Sequence, residues 1–275
     1  MSDPAAPAQS SDLLTRFAAG VVMIAVACVA IYLGGWPFRL LAAGAAAVMM
    51  LEWGDMHKAK RGWTWLGIVL LAAPALILPE YLFPAADRDP AEISPDLFDG
   101  VWMGFAGIAA LALLYTLVSR RLSLGWGFLY IALPTFALLV LSWAWFELVF
   151  WLMLVTWATD IFAYFAGRSI GGPKLAPRVS PNKTWSGLIG GMAGAAVIGA
   201  AAAWFFDLGA PFVFLGAPMG LLAQLGDLYE SRVKRRHGVK DSGSILPGHG
   251  GVLDRLDGLL PVALATLLVL IASLA

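Results

Sequence analysis

Residues 126–143 read WGFLYIALPTFALLVLSW, eighteen consecutive positions with no charged side chain. As a helix rising 1.5 Å per residue, such a run covers about 27 Å, close to the ~30 Å hydrocarbon core of a bilayer. Trp126 and Trp143 close its two ends, where an amphipathic ring suits the headgroup level. The stretch predicts a membrane-spanning helix.

Working outward, apolar runs bounded by charge, Pro and Gly predict nine spans, at 17–33, 36–53, 63–83, 101–117, 126–143, 148–166, 188–206, 211–225 and 259–274. Trp36, Trp53, Trp63 and Trp145 also sit at span ends. The first two spans, joined by Gly34 and Gly35, are open to a second reading as a re-entrant pair. The chain of 275 residues is 60% hydrophobic and 13% charged, with a mean hydropathy of +0.79. Ordinary soluble domains carry about a quarter charged residues, so a water-soluble two-domain enzyme is excluded. The expected fold class is an all-α, polytopic integral membrane protein with about nine transmembrane helices. It divides into a cytoplasmic tail at 1–16, N-terminal transmembrane helices at 17–143, and a C-terminal catalytic region at 144–275 with cytoplasmic loops at 167–187 and 229–255.

Charge sets the orientation, because cytoplasmic loops retain Lys and Arg. In the nine-span scheme sixteen of the eighteen basic residues fall on one side. Arg39 and Arg88 are the exceptions, and the loop with Arg88 is acidic, with Asp87, Asp89, Glu92, Asp96 and Asp99. The amino terminus is therefore expected in the cytoplasm and the carboxyl terminus outside. The net charge of zero points to no partner. A single cysteine, Cys28, lies in an apolar run and rules out an intramolecular disulfide or a cysteine-based metal site. The opening MSDPAAPAQSSDLLTRF has acids in place of a basic n-region, so no cleavable signal peptide is expected.

Two connections concentrate polar chemistry. Residues 167–187 read GRSIGGPKLAPRVSPNKTWSG, where Gly and Pro forbid a continuous helix. Ser180, Asn182, Lys183 and Thr184 place donors just before the next helix, a natural phosphate site, although a loop whose charges merely fix topology would look similar. Residues 224–258 read QLGDLYESRVKRRHGVKDSGSILPGHGGVLDRLDG. Basic residues there could lie against anionic lipid, yet Asp227, Asp254 and Asp257 bracket them. Carboxylates for a hard divalent ion beside cations for phosphate oxygens suit phosphoryl transfer; salt bridging is the plainer alternative. Asp160 lies in the sixth span, about 10 Å below Gly167 at helical rise, and an intramembrane acid is a functional candidate by default. Tyr164 shares its face. His57, His237 and His249 read as ordinary loop histidines, with Gly248, Gly250 and Gly251 implying an unusual backbone around the last. Gly187, Gly190, Gly191 and Gly194 read as helix packing through small residues rather than a phosphate loop.

The stretch from Ser231 to Asp257, with KRR and then KDSGSILPGHGGVLDRLD, closely resembles the signature of the phosphatidate cytidylyltransferases, also called CDP-diacylglycerol synthases. QLGD at Gln224–Asp227, SPNKTWSG at Ser180–Gly187, and Thr159 with Asp160 are similar to further motifs of that family. The motif similarity covers about the last 120 residues. One departure is Ser186, where the family usually has an acid.

The resemblance implies transfer of the cytidylyl group of CTP to phosphatidic acid, giving CDP-diacylglycerol and pyrophosphate in phospholipid biosynthesis. It implies magnesium as cofactor, with a second cation as an open addition. By position in the motifs, Asp227 and Asp254 are the expected metal ligands, with Asp257 and Asp160 behind them. Lys183, Lys240 and Arg255, backed by Arg235 and Arg236, are expected to hold phosphates, and Ser180, Asn182 and Thr184 to add neutral donors. Asp227, Asp254, Lys240 and Lys183 form the expected catalytic set. The expected partners are CTP, phosphatidic acid and membrane lipids, with no nucleic acid, and two chains pairing as a homodimer. The expected place is a bacterial inner membrane with the site facing the cytoplasm. Two rival readings use the same residues: a CTP-dependent lipid-alcohol kinase, and a cation-coupled transporter built on Asp160 and Asp227.

Overall fold

The computed structural model describes residues 9–82, 95–246 and 250–274. Residues 83–94, with Arg88, Asp87, Asp89 and Glu92 of the acidic loop, lie outside them, as do Gly248 and His249, while Asp96 and Asp99 fall inside. Six helices come first: α1 (Gln9–Leu33), α2 (Gly35–Met56), α3 (Arg61–Leu82), α4 (Pro95–Ser119), α5 (Leu122–Ala144) and α6 (Phe146–Ser169). A two-stranded antiparallel hairpin follows, β1 (Lys174–Ala176) and β2 (Ser180–Thr184). The chain then forms α7 (Trp185–Phe205), α8 (Ala210–Phe214), α9 (Gly216–Arg236), α10 (Leu253–Leu256) and α11 (Leu259–Leu274).

The protein is a mostly helical membrane protein. Five helices carry windows long and apolar enough to cross a bilayer, within α3, α4, α5, α6 and α7, and shorter apolar helices run over Gly20–Leu33 and Leu259–Ser273. α5 is the centre of the bundle: 72% of Leu122–Ala144 is buried, against 28% of Phe98–Ser119 on the flank. Around α5 pack α2, α4 and α11, while α6, α7 and α9 form a second group joined to it through α11. α6 and α7 have the most extensive contact of any pair. Their seam is lined by Gly190 against Ala166 and Gly194 against the Phe162 ring, where a side chain on either glycine would overlap its neighbour. The small-residue reading of those glycines is therefore the correct one. Trp151 reinforces the seam by donating its indole N–H to the Gly199 carbonyl at 2.8 Å.

Two expectations need correction, the unbroken span at 211–225 and the place of Trp53. The expected span at 211–225 breaks at Leu215 into α8 and a long α9: Pro218 has no N–H to bond back to Phe214, and Gly216 packs directly on the backbone of Ala195 and Ala196. The expected all-α membrane class stands, with one short hairpin between α6 and α7. Trp53 is not an interfacial ring: it is 1% exposed and donates to the Ser123 carbonyl at 2.9 Å, tying α2 to α5. Trp36 and Trp126 are exposed as anticipated. In addition, α1 begins at Gln9, inside the expected tail, and α1 and α2 are two long helices. Gly34 and Gly35, with φ of 58° and 48°, let the chain reverse between them.

Candidate active site

The hairpin exists because Gly171, Gly172, Pro173, Pro177 and Pro181 interrupt any helix between α6 and α7. An isolated two-stranded hairpin is marginal in water, so its anchoring matters. Thr184 caps α7, its hydroxyl accepting from the Gly187 amide at 3.1 Å. Ser186 donates to the Gly171 carbonyl, and the Trp185 amide to the Pro173 carbonyl at 3.1 Å. Gly167 and Gly187 bring the ends of α6 and α7 so close that a Cβ on Gly167 would stand 3.0 Å from the Thr184 hydroxyl. Asn182 and Lys183 are thereby held over the ends of two helices.

Beneath them opens a cavity of about 520 Å³, within the usual range for small-molecule sites. α6 contributes Asp160, Tyr164 and Arg168, the hairpin Asn182, Lys183 and Thr184, and α9 Gln224 and Asp227. Lys183 Nζ stands 2.5 Å from Asp227 Oδ2, with side chains 20% and 34% exposed, and Ser231 donates to Asp227 Oδ1 at 3.2 Å. Arg168 donates to the Tyr164 hydroxyl at 2.7 Å. Lys183 and Arg255 both lie within electrostatic reach of Asp160.

Beside the cavity, the glycine-rich loop after α9 is wound around two carboxylates. Asp254 accepts from Lys234 Nζ at 2.6 Å, from the Ser242 amide at 3.0 Å and from the Gly251 amide at 2.8 Å. Glu52, from α2 and 2% exposed, accepts from the Val252 and Leu253 amides at 2.8 Å and from the Ser242 hydroxyl at 3.0 Å. The glycines follow from this crowding. A Cβ on Gly251 or Gly243 would lie 2.7 Å from the Glu52 carboxylate, and one on Gly250, at φ 80°, 2.9 Å from Asp254.

Lys234 links this knot to α9 through Glu230, at 2.5 Å one helical turn away. Burial pushes the Glu230 carboxyl up to about 8 despite the nearby Lys234 ammonium. Burial alone would lower Lys234, but Asp254 and Glu230 hold it above the ordinary lysine value. For Asp254, Lys234 and the two backbone amides outweigh burial and keep its carboxyl below the usual range. Asp257 is raised by burial first and then by the Asp227 carboxylate, with Asp160 adding to it.

The sequence profile of the cytidylyltransferase family matches residues 14–273. The chain belongs to this family. A phosphatidate cytidylyltransferase of Brucella abortus biovar 1 is 35% identical over 288 residues, covering 96% of this chain and 94% of the relative. That of Bacillus subtilis is 46% identical over 115 residues, 41% of this chain and 43% of the relative. That of Haemophilus influenzae is 44% identical over 119 residues, 41% of each. The Brucella alignment carries the kinship into the N-terminal helices, which by sequence matched only as hydrophobic spans.

In this cytidylyltransferase the expected residues separate into groups. Asp160, Asn182, Lys183, Thr184 and Asp227 meet at the cavity. Asp257 reaches it through its electrostatic contact with Asp227 and Asp160. Ser180 stands half-buried at the start of β2. Asp254 does not line the cavity and is held by Lys234. Arg235 donates to the Val179 and Val239 carbonyls at 3.4 and 3.1 Å, bracing the hairpin against the loop. Arg236, Lys240 and Arg255 are exposed. His57 and His237 meet at the ends of α2 and α9 with ring centroids 4.1 Å apart and planes tilted by 54°, and burial, then the neighbouring His237 and Arg121 charges, hold His57 below the usual imidazole range.

Sequence reasoning passed over Glu52, Glu230, Lys234 and Gln224. The signal for Glu52 was present, because it is an acid inside an apolar run, the criterion that singled out Asp160. The i, i+4 spacing of Glu230 and Lys234 was the signal for that pair.

Among the described residues no three His, Cys, Asp or Glu side chains are grouped tightly enough to hold an ion alone. Magnesium does not require such a cage, since it takes one or two carboxylates and completes its shell with waters and substrate phosphates. Asp227, with Asp160 and Asp257 in electrostatic contact, fits that habit.

Proposed function

We propose that this protein transfers the cytidylyl group of CTP to phosphatidic acid, giving CDP-diacylglycerol and pyrophosphate. The observation that carries the reading is the family match over residues 14–273, joined to a cavity in which Lys183, Arg168 and Asn182 face Asp227.

The acceptor is itself a phosphate monoester, with a second pKa of about 6, so no general base is needed to generate the nucleophile. The obstacle is repulsion between two polyanions. Lys183, on a braced hairpin, is placed to exchange its pairing with Asp227 for a nucleotide phosphate and to offset charge on the departing pyrophosphate. Asn182 and Arg168 add donors at the same rim. Asp227 is the proposed magnesium ligand nearest the nucleotide, with Asp160 and Asp257 beside it, and Asp254 joins them where the Lys234 ammonium is displaced. What bound magnesium supplies is neutralisation between the attacking and α-phosphate oxygens. Lys240, Arg236 and Arg255 are assigned to phosphate capture from the exposed side.

The proposal includes nine membrane crossings with α8 and α9 sharing one, a bacterial inner membrane, and a cavity facing the cytoplasm. The basic joints at Lys58, Lys60 and Arg61 and at Arg120 and Arg121 support that orientation. Pairing of two copies through their helices is part of it as well, and is checked by the mass of the protein in lipid nanodiscs.

The test is incubation of purified protein with phosphatidic acid, magnesium and CTP labelled at the α or the γ phosphate. Label from the α position entering lipid while γ label leaves as pyrophosphate is the expected result. Entry of γ label into an alcohol lipid overturns it in favour of a kinase, and no transfer overturns it altogether.

A further inference from the structure

A second, smaller cavity of about 140 Å³, the room of about five waters, lies at the other end of the bundle. The joint between α1 and α2 walls it on one side, with Tyr32, Gly34 and Arg39, and the end of α5 with the first residue of α6 on the other, with Leu139, Ser142 and Phe146. α6 runs from Phe146 at this cavity to Ser169 beside the catalytic hairpin, 24 residues or about 35 Å. The thickness of a bilayer core therefore separates the two cavities.

Arg39 is the group that needs a reason. With the hairpin end of α6 in the cytoplasm, it stands on the far side of the membrane, where a basic residue works against the charge bias that orients the chain. It is half-buried, and its guanidinium lies 5.5 Å from the centre of the Trp36 ring, a contact made through charge and ring face rather than through its N–H donors. Ser142 puts a hydroxyl on the opposite wall. The depth is that of the lipid headgroups: α1 ends at Leu33, α2 starts at Gly35 and α5 ends at Ala144, and Tyr32, Trp36 and Trp143, rings of the kind that collect at the membrane–water interface, stand around the cavity. Leu33 and Leu40 are exposed beside it, 62% and 58%, and give acyl chains a surface that a water-soluble anion could not use.

We propose that this cavity holds the phosphate of a phospholipid from the outer leaflet, with Arg39 as its cation, Ser142 donating a hydrogen bond, and the acyl chains lying along the exposed faces of α1 and α2. A phosphate suits the site better than an uncharged headgroup, because a guanidinium presents paired donors matched to two phosphate oxygens. The lipid takes no part in the transfer; it ties α2 to the joint between α5 and α6. The outward placement rests on the orientation given with the proposed function.

The test is native mass spectrometry of delipidated protein in detergent, titrated with phosphatidylglycerol, a phosphodiester and so unable to serve as the phosphomonoester acceptor, with melting temperatures taken in the same mixtures. Wild type is expected to hold one phosphatidylglycerol that Arg39→Gln binds at least about ten-fold more weakly. Lys60→Gln, which removes an exposed cation from the opposite joint, should match wild type. The lipid should raise the melting temperature of wild type and Lys60→Gln but not of Arg39→Gln. Lipid seated in the catalytic cavity would not respond to Arg39. Equal binding by wild type and Arg39→Gln overturns the inference, and so does equal binding of diacylglycerol, which lacks the phosphate. Displacement by inorganic phosphate at the same concentration overturns it in favour of a soluble anion. Ser142→Ala, a milder cut, should weaken the site about three-fold or more; should Arg39→Gln fail to fold, unchanged binding by Ser142→Ala overturns the inference. The count of bound lipid involves no turnover, so its failure is distinct from failure of the proposed function.

Discussion

Replacing Glu52 by Gln changes one oxygen to an amide some 190 to 200 residues away from the loop it holds. With the remaining oxygen turned to the Leu253 amide and the Ser242 hydroxyl, the new NH2 group confronts the Val252 N–H, donor against donor. A buried N–H left without a partner costs about 1–3 kcal/mol, and the two surviving bonds lose their charge assistance, so a total of about 3 kcal/mol is expected. Because the loop can open while the bundle stays packed, this cost is felt first as loop opening rather than global unfolding. Every 1.4 kcal/mol is a factor of ten, so kcat should fall by up to about 100-fold, with detergent extraction and helical circular dichroism preserved. Hydrogen exchange resolves the cause: the Val252 and Leu253 amides should lose protection by a similar factor, and amides of α5 should not. Glu52→Asp, which keeps the charge with a shorter reach, should recover part of the rate. Activity above half of wild type with unchanged protection at Val252 and Leu253 would refute the reasoning.

Asp227→Asn should abolish turnover and leave thermal stability near wild type, because that carboxylate faces the cavity, whereas Asp254→Asn should lower both, since it leaves Lys234 with only the protonation-prone Glu230; equal melting temperatures for the two variants would contradict this division. Lys183→Ala should raise the KM for CTP more than that for phosphatidic acid, measured by pyrophosphate release. Glu230 holds a proton in the folded state up to about pH 8, while the unfolded chain releases it near pH 4.3. Stability should therefore fall as pH rises between those values, by up to about 1.4 kcal/mol per unit. Lys234 and Asp254 stay charged throughout, so Glu230→Gln should flatten the fall in melting temperature between pH 6 and pH 8. Gly251→Ala, whose new methyl would meet the Glu52 carboxylate and the Ser242 hydroxyl, should lose most activity, read as turnover at saturating substrates.

The hydrocarbon requirement acts on whole windows of sequence, which is why the cores of α3 to α7 could be read from composition. It says nothing about single contacts. Gly216 meets the Ala195 backbone across the bundle where α8 gives way to α9, a contact between distant residues, and the hairpin depends on caps and carbonyls that no periodicity reports. In the site, Lys183 and Asp227 were legible because they carry charge in donor-rich motifs beside a helix end. Gln224 stood inside a quoted motif but was uncharged, and Glu52 stood outside every motif, so that only the fold reveals the loop it grips. Asp254 showed the converse limit, since its place in a motif could not disclose that Lys234 already holds it.

The reach of Glu52 also bears on how small a working version of this chain can be. The motifs lie in the last 120 residues or so, which invites dissection into a compact catalytic fragment. Such a fragment would leave the Val252 and Leu253 amides and the Ser242 hydroxyl without their acceptor, and the notch cut by Gly243 and Gly251 empty of the side chain it was shaped around. Supplying the first helices as a separate co-expressed polypeptide should rescue it, since the strap is non-covalent and needs proximity rather than chain continuity.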